Sequence, residues 1–247
     1  MIILIFILGL IVGSFLNAVI HRLHSGQSIF ERSSKCPNCG HTLAWYDLIP
    51  IVSFFMLNQR CRYCGKPISW QYPLVELATA IAFGLIYNQL SIIDYQLLFQ
   101  FIFTCFLIVI FVYDLKHYLI LDRVVIPAAV LALIYQVWQG NFFNSIWGAL
   151  ALSGFFALLY FFSKGRWIGL GDVKLGIFLG ILIPWPQTLV LFFLSYGIGA
   201  LLSLCLVAWG KKKLTDKIPF GTFLTFGAFV AMLYGEELVR WYLSLVI

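Results

Sequence analysis

Residues 2–20, IILIFILGLIVGSFLNAVI, run for 19 positions without a charged side chain, and residues 97–113 and 142–163 are likewise uncharged. About 20 apolar residues are enough to cross a bilayer. A chain that repeats such blocks must fold as a membrane protein. Composition agrees: 62% of residues are hydrophobic and 11% charged, against roughly 25% charged in a soluble domain. The positive charge is ordered. Arg22, Arg32, Lys35, Arg60, Arg62 and Lys66 follow the first block; Lys116 and Arg123, then Lys164, Arg166 and Lys174, then Lys211, Lys212, Lys213 and Lys217 fill every second gap after it. Of the 16 Lys and Arg, only Arg240 stands elsewhere. Cytoplasmic loops carry such an excess of Lys and Arg. The +6 net charge therefore reads as topology, and nucleic acid is not an expected partner.

The pattern predicts an all-α membrane bundle of about eight transmembrane helices, near 2–20, 74–93, 96–114, 124–139, 142–163, 172–185, 187–209 and 218–239. Both termini lie outside and the basic loops lie in the cytoplasm. The first segment is expected to stay uncleaved. It lacks a basic region in front and a small-residue cleavage site behind. Pro184-Trp185-Pro186 divides the apolar run 175–210 into a hairpin, because proline stops a helix. The sixth span is then short, roughly 20 Å against a ~30 Å hydrocarbon core. It either begins earlier, near Trp167, or holds Asp172 in a cavity below the membrane surface. Three parts follow: the first helix (1–20), a soluble cytoplasmic domain (21–73) and a membrane-embedded domain (74–247).

The soluble part carries CPNC (Cys36, Cys39) and CRYC (Cys61, Cys64), each followed by glycine. A CxxC turn points two thiolates at one centre, and two such turns complete a tetrahedral zinc site. Four sulfur ligands leave no open position, so the metal is expected to be structural. It would stabilise a 53-residue segment with few large apolar side chains. Cys105 and Cys205, in mid-span, read as packing residues.

Acidic residues number ten. Asp114 ends the third apolar block and Asp172 begins the sixth, so both fall at the cytoplasmic edge. Ionisable groups there face the interior or a water-filled cavity. Two carboxylates brought together cannot both ionise. The ionised one can then take a proton from water while the protonated one donates to a carbonyl oxygen, which is aspartic peptidase chemistry. Gly169 and Gly171, in GLGDVKL, would let a peptide strand approach Asp172. A proton-coupled carrier would use paired acids too. No GxSxG, HExxH or P-loop competes.

These segments in order, GLIVGSFLNAVIHRL (9–23), KCPNCG, CRYCGK, DLKHYLILD (114–122), GLGDVKL (169–175) and PFGTFLTFGAF (219–229), resemble the bacterial type IV prepilin peptidase family. The resemblance implies an all-helical membrane protein of the bacterial cytoplasmic membrane with catalytic aspartates at Asp114 and Asp172. It implies removal of the basic leader of prepilins and pilin-like proteins at the cytoplasmic face, after a glycine. It also implies methylation of the new N-terminal amine from S-adenosylmethionine. Two departures stand out. Ile120-Leu121-Asp122 replaces the family's Ile-Pro-Asp, and Thr222 stands where Pro-Phe-Gly-Pro has its last proline.

Other polar residues are weighed beside these. Asn17 and His21 share a face of the first span with Gly13. They are candidates for a packing contact or for touching substrate or methyl donor, as is Glu76 at the start of the second span. Lys174, two positions after Asp172, points off that face and reads as an active-site-loop residue contacting lipid headgroups. Asp122 is a rival acid, better read as a cap or partner of Arg123. Lys211–Lys213 read as an anchor on anionic lipid.

Overall fold

The structure is a computed structural model and describes residues 1–28, 34–90, 94–210 and 218–246. Arg32, the Lys211–Lys213 anchor and Lys217 lie outside the described residues. Nine helices are present among the described residues: α1 (Ile2–Ser25), α2 (Val52–Met56), α3 (Gln71–Leu90), α4 (Tyr95–His117), α5 (Asp122–Trp138), α6 (Phe142–Ser163), α7 (Leu170–Leu182), α8 (Gln187–Ala208) and α9 (Phe220–Val246). A short 3-10 turn covers Trp45–Leu48. No strand occurs among the described residues, only the isolated bridges Lys35–Thr42 and Arg60–Pro67.

Six of these helices, α1, α3, α4, α6, α8 and α9, are long and apolar enough to cross a membrane. The expected count of about eight spans is not confirmed, since two of the expected spans form shorter helices. α5 has 17 residues and α7 has 13, about 25 and 20 Å of rise. The hairpin falls where the prolines put it: α7 ends at Leu182 and α8 begins at Gln187. α1 runs past residue 20 to Ser25, so His21, Arg22 and His24 belong to its last turns. Basic side chains suit a helix C-terminus, and Gly26, at φ 70°, ends the helix in the left-handed conformation.

The chain forms two compact units, Met1–Val109 and Ile110–Ile247. In the first, α1 packs on α3 through Gly9 and Gly13. A Cβ at Gly13 would lie 2.6 Å from Glu76 Cα, and one at Gly9 would lie 2.5 Å from Ala80 Cα. This small-residue spacing lets membrane helices touch backbone to backbone. In the second unit α7 is enclosed by α5, α6 and α9. Leu175, Phe178 and Leu179 are fully buried. Its Gly176 and Gly180 admit α6, with a Cβ at Gly180 only 2.6 Å from Ala149 Cα. The buried Gln136 side chain of α5 donates to the Leu182 carbonyl at 2.9 Å, satisfying one of the carbonyls a helix end leaves open.

Candidate active site and metal centre

The two cysteine turns of the first unit are built alike. The Cys36 amide donates to His41 O and the Gly40 amide to Cys36 O, both at 2.9 Å. The Cys61 amide donates to Lys66 O and the Gly65 amide to Cys61 O at the same distances. Gly40 and Gly65 take φ of 71° and 68°, where side chains are disfavoured. The four Sγ atoms lie within 4.8 Å of one another, and Cys36 Sγ and Cys64 Sγ are 3.9 Å apart. A tetrahedron with ~2.3 Å metal–sulfur bonds has edges of roughly 3.8 Å, so this donor set fits a zinc ion. Burial works against ionisation of Cys36, yet the Asn38 and Cys39 amides and the neighbouring thiols bring it down to about 7. At Cys64 the Lys66 amide favours the thiolate, but desolvation and the other three sulfurs outweigh it and push the thiol up to about 11.

The segment between the turns is tied to the second one. Asp47 accepts from Arg62 Nε at 2.8 Å and from the Tyr63 hydroxyl at 3.2 Å. Glu76 of α3 holds the same segment: its buried carboxylate accepts the Ile51 amide at 2.8 Å. Ile51 has φ 61°, an outlier for a β-branched residue. Asn17 donates to Tyr72 O at 3.0 Å and accepts from Gln71 Nε2 at 3.2 Å. Both side chains therefore serve the scaffold of the first unit. His21 is half-buried on α1. Beside these residues lies a cavity of about 380 Å³ whose lining includes Ser14, Phe15, Arg22, Ser34 and Leu48. Arg22 is buried there.

Asp114 and Asp172 both belong to the second unit. Asp114, in the last turn of α4, is 4% exposed. Its Oδ2 accepts the Thr222 amide at 2.8 Å and the Thr222 hydroxyl at 3.1 Å. Gly221 is required for this approach, since a Cβ there would lie 2.9 Å from Asp114 Oδ2. Asp172 sits in the first turn of α7, and its Oδ2 accepts the Gly169 amide at 3.1 Å. It lies within electrostatic reach of Asp114. Ile120 packs between the two neighbourhoods: a Cβ at Gly171 would meet its Cβ at 3.1 Å, and one at Gly221 would meet its Cδ1 at 3.2 Å. The space at Gly171 is thus taken by Ile120. A Cβ at Gly169 would meet nothing nearer than Asp172 Oδ2 at 3.7 Å, which leaves its outer side open.

Lys174 Nζ donates to both oxygens of Asp122, at 2.9 and 2.7 Å. The partner of Asp122 is Lys174 rather than Arg123, and Asp122 forms no side-chain cap on α5. Sequence reasoning missed Thr222 and Ile120 as neighbours of the acids. The usable signal was a hydroxyl residue at the start of a helix, where free amides collect.

Fold and site define a multi-pass helical membrane protein with a cluster of four thiols suited to a metal ion and two neighbouring acids, Asp114 buried and Asp172 half-buried. Residues 7–90 match the Bacterial Peptidase A24 N-terminal domain, and residues 101–204 match the Type IV leader peptidase family. The chain is similar to proteins named Prepilin leader peptidase/N-methyltransferase. That of Bacillus subtilis is 31% identical over 99% of this chain and 98% of that protein. That of Pseudomonas aeruginosa is 30% identical over 96% and 92%, and that of Xanthomonas campestris 32% over 96% and 92%. No solved structure matches the chain. The chain belongs to the type IV leader peptidase family.

Proposed function

We propose that this protein cleaves the leader of type IV prepilins and pilin-like proteins with an Asp114–Asp172 pair, and methylates the new N-terminal amine. The observation that carries the reading is the pair itself: two acids from segments 58 residues apart, brought within electrostatic reach in one unit. One carboxylate takes a proton from a water molecule, the water oxygen attacks the scissile carbonyl, and the other carboxylic acid protonates the carbonyl oxygen. The active site faces the cytoplasm in this reading, which the Lys/Arg gaps support. The leader stays there while the substrate's apolar segment lies in the bilayer. The parts are the first helix (1–20), a zinc-binding domain (21–73) and the peptidase domain (74–247).

Zinc is the metal that Cys36, Cys39, Cys61 and Cys64 suit. It would hold the two turns together and leave no position for substrate. For methylation, support comes from the relatives' names and from the cavity at Arg22. S-adenosylmethionine supplies an electrophilic methyl group when bound. Arg22 would meet its carboxylate, and Ser14 and Ser34 its polar edges.

The test is cleavage of a prepilin-like substrate by the full chain in detergent or lipid, with product masses recorded. Asp114→Asn and Asp172→Asn should each abolish cleavage while remaining folded, and the wild-type product should gain one methyl group when S-adenosylmethionine is present. Cleavage surviving in either variant would sink the pair, and ion flux without cleavage would favour a proton-coupled carrier.

A further inference from the structure

The two acids are held by unequal sets of donors. Asp114 Oδ2 accepts two hydrogen bonds from Thr222, at 2.8 and 3.1 Å, and Gly221 offers its amide to the same carboxylate. All these donors stand at the beginning of the long helix α9 (Phe220–Val246), where unpaired amides and the helix dipole favour negative charge. Asp172 Oδ2 accepts one amide, Gly169, at 3.1 Å. Hydrogen bonds to the charged form of a carboxyl group favour that form. A proline at position 222 would have neither an amide hydrogen nor a hydroxyl; Thr222 supplies both.

We propose that Thr222 is a positioning residue that keeps the negative charge of the pair on Asp114, making Asp114 the general base and Asp172 the general acid. This rests on the acid-pair reading above. The Asp114 carboxylate takes a proton from water as the water oxygen bonds to the scissile carbon. The carbonyl oxygen takes the proton of Asp172, giving a gem-diol. When the C–N bond breaks, the proton on Asp114 passes to the leaving nitrogen and a gem-diol hydroxyl returns its proton to Asp172. All atoms and charges are then restored.

The other ionisable groups near Asp114 are few among the described residues. Its own helix carries Tyr113, Lys116 and His117. α7 brings Asp172, with Lys174 bonded to Asp122 of α5. α8 brings Tyr196, within electrostatic reach of Asp172. The first turn of α9, Phe220-Gly221-Thr222, brings none.

The experiment compares the pH–rate profiles for cleavage by the full chain and by T222S, T222V and T222P, with D114N and D172N as controls. Activity needs the base ionised, so removing donors should move the acid limb to higher pH. Serine keeps both donors and should keep the wild-type limb. Valine keeps the shape and the amide but loses the hydroxyl, and should move the limb up by roughly one pH unit. Proline loses both donors and should move it at least as far. Should T222P not accumulate, T222V against T222S decides. Coincident limbs for wild type, T222V and T222S in folded protein would overturn the role of Thr222, with the pair intact if D114N and D172N are dead. Cleavage by D114N or D172N would instead overturn the pair.

Discussion

Lys174 Nζ and Asp122 Oδ2 meet at 2.7 Å, joining the N-terminal end of α7, which carries Asp172, to the first turn of α5. Both side chains are about half exposed, at 44% and 51%, and such pairs contribute ~0–1 kcal/mol. Lys174→Met and Asp122→Asn are expected to lower stability by less than ~1 kcal/mol and to reduce cleavage alike and modestly. Thermal unfolding and steady-state cleavage of the two variants measure this. Abolished cleavage in Asp122→Asn, with Lys174→Met active, would bring Asp122 into the chemistry.

The contact between α6 and α7 gives a sharper stability test. A Cβ at Gly180 would press on Ala149, whereas one at Gly197 on α8 would meet nothing within 4 Å. Gly180→Ala should destabilise by about 1–3 kcal/mol, as overpacking does. Gly197→Ala should be neutral or stabilise by up to ~1 kcal/mol, since alanine favours a helix. Unfolding in one detergent compares them directly, and equal effects would refute the close approach.

Metal content tests the cysteine turns. The purified chain should hold about one zinc ion, the number a single four-thiol site takes, and Cys36→Ser should hold much less by elemental analysis. Zinc binds thiolate, so protons compete with it. Occupancy should fall as pH falls, and chelation should expose the segment 34–70 to protease. Zinc content unchanged in Cys36→Ser would place the metal elsewhere.

The cavity at Arg22 is testable without turnover. Arg22→Gln should weaken S-adenosylmethionine binding by roughly tenfold or more, the usual scale for a lost charged hydrogen bond. Binding calorimetry on the full chain reads this. Cleavage assayed alongside reports whether the variant is folded. Unchanged binding would send the methyl donor to another site.

Sequence alone located the long apolar helices, the proline hairpin and the paired cysteine turns, because each depends on local composition or short spacing. Helix lengths were less legible. Charge marks where water begins, but helix hydrogen bonds are local and continue into water, so α1 passes residue 20 and ends at Gly26. The targets of polar side chains were hidden for another reason. Glu76 reaching Ile51, and Asp114 reaching Thr222 108 positions away, are pairings that only the packed bundle creates. The face of the first span that carries Gly13 and Asn17 was visible as spacing, but the role of Gly9 and the partners Glu76 and Ala80 were not, because they lie far along the chain.

The 13 residues of α7 have a last consequence. A rod of about 20 Å cannot reach both faces of a ~30 Å hydrocarbon layer. With its far end flush, its head stops about 10 Å inside. In the proposed reading Asp172 would then stand at the floor of a well rather than on its rim. Hydrolysis consumes a molecule that oil does not dissolve, and a shortened post is one way to let a column of it stand where the bond is cut. A substrate helix would have to uncoil by a turn or two to be lowered in.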